Sequence, residues 1–349
     1  PELEAVFPSD VVTLTNNGTA EAEPIFELEV KEPVTFAMIQ NQDDEYMMIG
    51  KPVDETINEP VKEYERVIND SMSSMVGWTH TDTVEGGYAQ GEMASSGTSF
   101  YASSYGTKRS KQFYGPSVKT SLSEVLENFM VEMLVTFRTT TNSEQTGRVA
   151  MFLLDDNDNV IAKLALQDTY SQAKLARGIV RIGDNTVNYH IVDEEERYWA
   201  DFYGILRILK KQNYWVGYIA EMAPDGTHHT RKYVSWSDTE NHFTNKKLAQ
   251  IQLHIAGWDT NDTPTIWIHH LNAWKVNPVR DVQVPYIADV GDIITFDHLN
   301  KDILINGESR MDLKQFGASF FKLKRGYNQL VVMPSNSFDV KCRYRPTYL

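Results

Sequence analysis

One cysteine in 349 residues, Cys342, rules out an intrachain disulfide. It alternates with Val340 and Tyr344 in a strand-like run, which fits a small buried hydrophobe better than a reactive thiol. No apolar run approaches the ~18 residues of a membrane span, and no signal peptide opens the chain, so no membrane partner is expected. Basic residues are scarce too: 33 Lys and Arg stand against 48 Asp and Glu, a formal net charge of −15. So acidic a chain is unsuited to nucleic acid. Helical periodicity is confined to KTSLSEVLENF, with Ser121 or Ser123 as a cap, and to a single turn in RMDLKQFG. The serine nucleophile elbow, the phosphate-cradling loop, the His-Glu-x-x-His zinc motif and the cysteine pair are all missing. No cofactor or metal is expected.

What remains is β. Runs of roughly five to nine alternating residues, separated by Gly, Asn and Asp clusters, read as sandwich or barrel strands. In AQIQLHIAG, Ile251, Leu253 and Ile255 share one face while Gln250, Gln252 and His254 share the other. DIITFDHLNKDILINGES reads as a hairpin turning at Asn300-Lys301 and ending at Asn306-Gly307. A hairpin needs further strands to cover its apolar face. Strands of similar character lie at the other end of the chain, in VVTLTN, FELEV, VTFAMI and YMMIG. All seven Trp fall between about 61 and 278, with Pro52 and Pro60 at one border and Pro278 and Pro285 at the other. This pattern predicts a split outer domain, 1–60 plus 279–349, carrying an inserted domain at 61–278. The opening PELEAVFPSD reads as a linker from a preceding domain.

Several constellations invite a chemical reading. His228-His229 and His269-His270 could hold a metal, but neighbours on a strand point to opposite faces. DDNDN at Asp155–Asn159 resembles a calcium loop without its twelve-residue spacing, so a hairpin turn fits better. Glu27 and Glu29 lie about 6.6 Å apart on one strand face, a separation compatible with glycosidase carboxylates. Their alternation with Phe26, Leu28 and Val30 instead marks an ordinary wet face. The Glu-x-Asp-x-x-Glu strand used by jelly-roll glycosidases is absent from the Trp-bearing region.

The aromatics carry more information. Flat rings stack on the C–H faces of sugars while amides and imidazoles beside them bond the hydroxyls. Seven Trp exceed what one core of this size needs, so one or two are expected on a ligand face. The candidates for saccharide binding are Trp78, Tyr105, Tyr114 and Trp236, which stand beside turn residues or polar runs. Gln252 and His254 join them from the polar face of their strand.

The C-terminal stretch resembles the end of the distal tail proteins of long-tailed siphophages. The matching residues are Gly291, Asp292, Asp297, Lys301, Asn306, Gly307, Phe321, Leu323, Gly326, Asn328, Tyr344, Arg345, Tyr348 and Leu349. Upstream, LTNNGTAEAEPIFELEV resembles the opening of the same galectin-like domain. The middle, with GWTHTDTVEGGYAQGEM and SYGTKRSKQFYGPSV, resembles the carbohydrate-binding modules inserted into enlarged members of that family.

The resemblance implies an all-β chain: a galectin-like β-sandwich interrupted by a concanavalin-like jelly-roll β-sandwich. It implies a non-enzymatic component of the virion's tail tip, made in the host cytoplasm without a signal peptide. The implied partners are bacterial cell-wall polysaccharide and other tail-tip proteins. The latter would be contacted through the family's ring-forming N-terminal domain, which has no counterpart in this sequence, so the chain alone is expected to be a monomer. Two alternatives stay open: a tail-associated glycan hydrolase and a purely structural baseplate protein.

Overall fold

The structure is a computed structural model describing residues 2–7, 10–139 and 144–348. Pro1, Pro8, Ser9 and Leu349, which entered the sequence reading, lie outside the described residues. Strand dominates, and among the described residues the helical elements are two 3-10 turns, Tyr198–Ala200 and Met311–Leu313. The chain divides into two compact units, 1–63 with 224–227 and 278–349, and 64–223 with 228–277.

In the first unit, Ile25–Val30 lies between Ile293–Asp297 and Phe338–Tyr344, antiparallel to both. Phe296 stands opposite Phe26 and Ile294 opposite Leu28, so the hairpin at Asp292 is covered by strands from the start of the chain. Asn306 and Gly307 adopt φ of 50° and 82° in the two-residue turn that follows, the left-handed geometry for which Asn-Gly is suited. A second sheet runs in the order Val11–Asn16, Gly326–Met333, Phe36–Asn41, Tyr46–Gly50. Val12, Leu14, Ile39 and Leu330 from this sheet meet Phe26, Leu28, Ile294, Val340 and Cys342 from the other in one core. Glu27 lies outside that core and pairs with Arg343 at 2.5 Å, as a solvated face allows.

One expectation fails here. Leu3–Phe7, inside the opening read as a linker, is an edge strand on Phe338–Tyr344, and its Ala5 and Phe7 pack against the core. Alternation in a five-residue run flanked by proline is too short a signal to separate a linker from an edge strand.

The second unit is a sandwich. Among the described residues its larger sheet has nine strands and its smaller sheet eight. Across the larger sheet run Asn188–Glu196, Ala176–Gly183, Val160–Asp168, Gly147–Leu154 and Leu248–Asp259, with Arg109–Gly115 and Ser117–Leu126 both on Leu248–Asp259. In the smaller sheet, Phe129–Arg138 lies between Thr265–Val276 and Asp201–Lys211. Val149, Met151, Leu153, Ile251, Leu253 and Ile255 from the larger sheet pack on Val131, Met133, Val135 and Phe137 from the smaller. Alternate residues along each strand therefore point into the core or out of it.

Two local readings are corrected by pairing. Ser117–Leu126 is a strand, not a helix, because Ser117 to Ser121 pair one by one with His254 to Gln250. The helix-like spacing of Leu122, Val125 and Leu126 yields to that ladder, whose register shifts after Ser121. At His269-His270 a bulge breaks the alternation: His270 pairs with Leu134 and Ile268 with Val135, leaving His269 unpaired between them. His269 then bonds Thr136 at 2.8 Å, and His270 bonds Asn69 at 2.7 Å. Even so, no group of three or more His, Cys, Asp or Glu suited to a metal occurs among the described residues. No helix among them is long and apolar enough to cross a membrane, which says nothing about β-barrels.

Candidate functional site

The outer face of the larger sheet is where the polar side of AQIQLHIAG points. Gly147–Leu154 presents Arg148, Ala150, Phe152 and Leu154 there, in register with Ala256, His254, Gln252 and Gln250 on one side. On the other side the same rows continue through Gln167, Ala165 and Lys163, then Arg177, Ile179 and Arg181. Ala150, Phe152, Leu154, Ala165 and Ile179 form a small apolar island on this face. Cations surround it.

A strap of chain, residues 81–86, crosses the face. Gln252 Nε2 donates to Thr81 Oγ1 at 3.0 Å, Thr83 O at 2.8 Å and Ser117 Oγ at 2.9 Å. Val84 packs on the apolar island. Arg148 donates to the carbonyls of Glu85 at 3.3 Å and Gly86 at 3.4 Å. The Glu85 carboxylate then accepts from Arg181 at 2.6 Å and from the Asn185 N–H at 3.1 Å. Gly86 takes φ of 65°, a left-handed turn for which glycine is suited.

His254 is fully buried, and its Nδ1 lies 2.8 Å from Arg148 Nη2. Arginine only donates, so Nδ1 accepts and the neutral ring carries its proton on Nε2. Burial first and the Arg148 charge second hold His254 well below the usual histidine range. Burial likewise lowers Arg148 to about 9, and lowers Lys163 to about 7 with help from Arg148 and Arg181. At the open end of the face Arg177 pairs with Asp193 at 2.5 Å and Tyr170 Oη bonds Glu195 at 3.1 Å.

The six sequence candidates are only partly brought together. Gln252 and His254 do share this face, but both are buried beneath the strap, at 5% and 0% exposure. Trp78 is not an open stacking surface: it is 8% exposed in the core, edge-on to Phe100, with Nε1 donating to Asp70 at 2.8 Å. Tyr114 is 1% exposed, and its hydroxyl finds no partner among the described residues. Tyr105 packs against the same core, and burial pushes its phenol up to about 12. Trp236 is half-buried, with one face stacked on Tyr189 at 4.1 Å and Phe243 against it at 6.2 Å. Adjacency to turns predicted exposure for these rings. Packing between the two sheets overrides it.

Arg148, Lys163, Arg181 and Glu85 escaped the sequence reading. A signal was present: GRVAMFLL, VIAKLALQD and ARGIVRIG each hold a cation at an outward position of an otherwise apolar run. Lone charges in such strands are seldom buried without a purpose or a partner.

The same unit holds a buried acid. Asp168 is 1% exposed with Oδ2 unpartnered, and burial raises its carboxyl from 3.8 to about 7. Between about pH 4 and pH 7 the unfolded chain has lost this proton while the folded chain keeps it, so stability falls as pH rises through that window. Asp168→Asn is expected to flatten that slope and raise the melting temperature at pH 7, as read by scanning calorimetry at several pH values.

Comparison with known proteins now adds to this geometry. Residues 260–348 match the family described as siphovirus-type tail component, C-terminal domain. Among solved structures, the chain is similar to the CBM2 module of the evolved Dit of Lactobacillus casei BL23 phage J-1. That match has a TM-score of 0.53 at 16% identity, covering 63% of this chain and 100% of that one. The globular domain of T. cruzi calreticulin gives 0.39 at 11% identity, covering 61% and 88%. A legume lectin-like domain from Entamoeba histolytica gives 0.37 at 9% identity, covering 58% and 91%. Identities this low bear on the fold alone, and the last two scores are too low to bear on anything further. No curated protein matches by sequence. Over residues 260–348, then, the chain matches the family of siphovirus-type tail component C-terminal domains.

Proposed function

We propose that this chain is a distal tail protein of a phage whose 64–277 unit attaches the tail tip to saccharide of the bacterial envelope. The observation that carries this reading is the pairing, in one chain, of a siphovirus tail-component domain with a fold like that of a carbohydrate-binding module from another phage tail protein. The second unit has the size and architecture for that role, and at the open end of the outer face of its larger sheet Arg177 and Tyr170 present guanidinium, hydroxyl and ring surface to solvent. Mixed surfaces of this kind suit sugars, which present hydroxyls and C–H faces together.

Binding without hydrolysis is the reading favoured by the carboxylates. On the outer face of Gly147–Leu154 the side chains are Arg148, Ala150, Phe152 and Leu154, none of them acidic. Near them Glu85 is engaged by Arg181, Asp193 by Arg177 and Glu195 by Tyr170, while Asp168, whose carboxyl burial raises to about 7, is 1% exposed and closed to a polymer. Glycoside hydrolysis needs two carboxyl groups flanking one bond, one of them free to give a proton. Labelled chain should adsorb to host cells and sediment with purified host walls while releasing no reducing ends. Release of reducing ends would make it a hydrolase, and absence of wall binding would leave a structural spacer.

A further inference from the structure

Lys163 is the odd member of the outer face. It is 9% exposed, and among the described residues no hydrogen bond or ion pair reaches its Nζ, which stands over the Phe152 ring at 5.8 Å and feels the Glu85 charge only at a distance. Directly opposite on the neighbouring strand stands Arg181, another buried cation. Like charges facing each other across a ladder destabilise it. Arg148, fully buried two outward rows further on, adds a third positive group whose charge reaches Lys163. Arg177 and His190 border the cluster at its open end, where His190 feels Arg181, Arg177 and Lys163 together. The anions near the cluster are already engaged: Glu85 by Arg181 and Asn185, Asp193 by Arg177 and His190, and Glu195 by Tyr170. In a chain of net charge −15, this is a built concentration of positive charge with one member left unanswered.

We propose that the saccharide taken by this face is anionic, and that its phosphodiester or carboxylate group seats against Lys163 between Arg181 and Arg177. This deepens the saccharide-binding reading and rests on it. An incoming anion completes what the fold leaves open: it supplies the acceptor Lys163 lacks and offsets the repulsion between Lys163 and Arg181. The sugar ring lies beside it, over the exposed polar groups at the open end, where Tyr170 is 48% exposed. The strap at 81–86 fixes Arg148 and Arg181 before the ligand arrives, so little ordering is required on binding.

Titration calorimetry on the whole chain tests this with four probes: a phosphodiester-bearing bacterial polysaccharide, a uronate oligosaccharide, the methyl ester of that uronate, and a neutral oligosaccharide. One or both charged probes should bind about tenfold or more tightly than the ester and the neutral probe, and that preference should shrink with added salt. Whichever charged probe binds identifies the source of the anion. Lys163→Gln and Lys163→Met should abolish the preference. Both should leave the melting temperature unchanged or higher, because a cation without a partner is removed. Equal binding of ester and acid, with both Lys163 variants silent, overturns the anionic assignment and leaves saccharide binding standing. If no probe binds and the chain fails to adsorb to host cells, the saccharide-binding reading itself is lost.

Discussion

Trp215→Ala is expected to cost about 3–5 kcal/mol of folding stability, the range for deleting a buried Trp side chain. Trp215 has no exposed surface; it points into the sandwich from Tyr214–Met222, stands edge-on to Phe129 at 6.0 Å, and lies opposite Trp236 on the next strand. Among the described residues its Nε1 has no hydrogen-bond partner, so the loss on truncation is packing and cavity rather than polar contact. For that reason Trp215→Phe should recover most of the loss. Denaturant midpoints followed by circular dichroism check both variants. Near-equal midpoints for Trp215→Ala and the parent would place this ring outside the load of the core.

Glu85→Gln is expected to be comparably damaging although it changes one atom. Arg181 and Glu85 are almost fully enclosed, with 6% and 12% of their side chains exposed. Removing the negative charge leaves Arg181 facing Lys163 with Arg148 close by, and stranding one partner of an enclosed ion pair costs about 3–5 kcal/mol. The strap should loosen too, since the same carboxylate holds the Asn185 N–H. A second change, Arg181→Met, should restore most of the stability by removing the stranded cation. Urea titrations of the two single variants and the double variant give the coupling directly. An additive double variant would mean that the pair is not what pins the strap.

Legibility in the sequence followed distance along the chain. Period-two alternation put Ile251, Leu253 and Ile255 in the core, and Asn306-Gly307 marked its own turn, because both signals are local. The outer strands at Val11–Asn16 and Ile25–Val30 were equally readable. The outer face of the larger sheet was half readable: periodicity placed Gln252 and His254 on it, while the strap that buries them comes from residues more than 160 positions away. Contacts at such range have no periodic signature. The burial of Trp78 and Tyr114 was illegible for a related reason, since Gly77 beside Trp78 speaks of the backbone turn and not of the Phe100 ring packed against the indole. The bulge at His269 was invisible because one extra residue changes no composition.

The sheet of the first unit has a consequence for synthesis on the ribosome. Leu28 finds its neighbour in Val340, more than three hundred residues downstream, and its other neighbour in Ile294. Ile25–Val30 therefore emerges long before either flanking strand exists and must wait unpaired while the whole intervening unit is translated. Exposed strand edges of this kind are prone to pair with other chains. The acidic outward positions Glu27 and Glu29, which later meet Arg343, Lys341 or water, carry the negative charge that keeps two waiting copies apart. Polysomes crowd nascent chains side by side, and there the wet face of this strand serves as a gatekeeper before it serves as a surface.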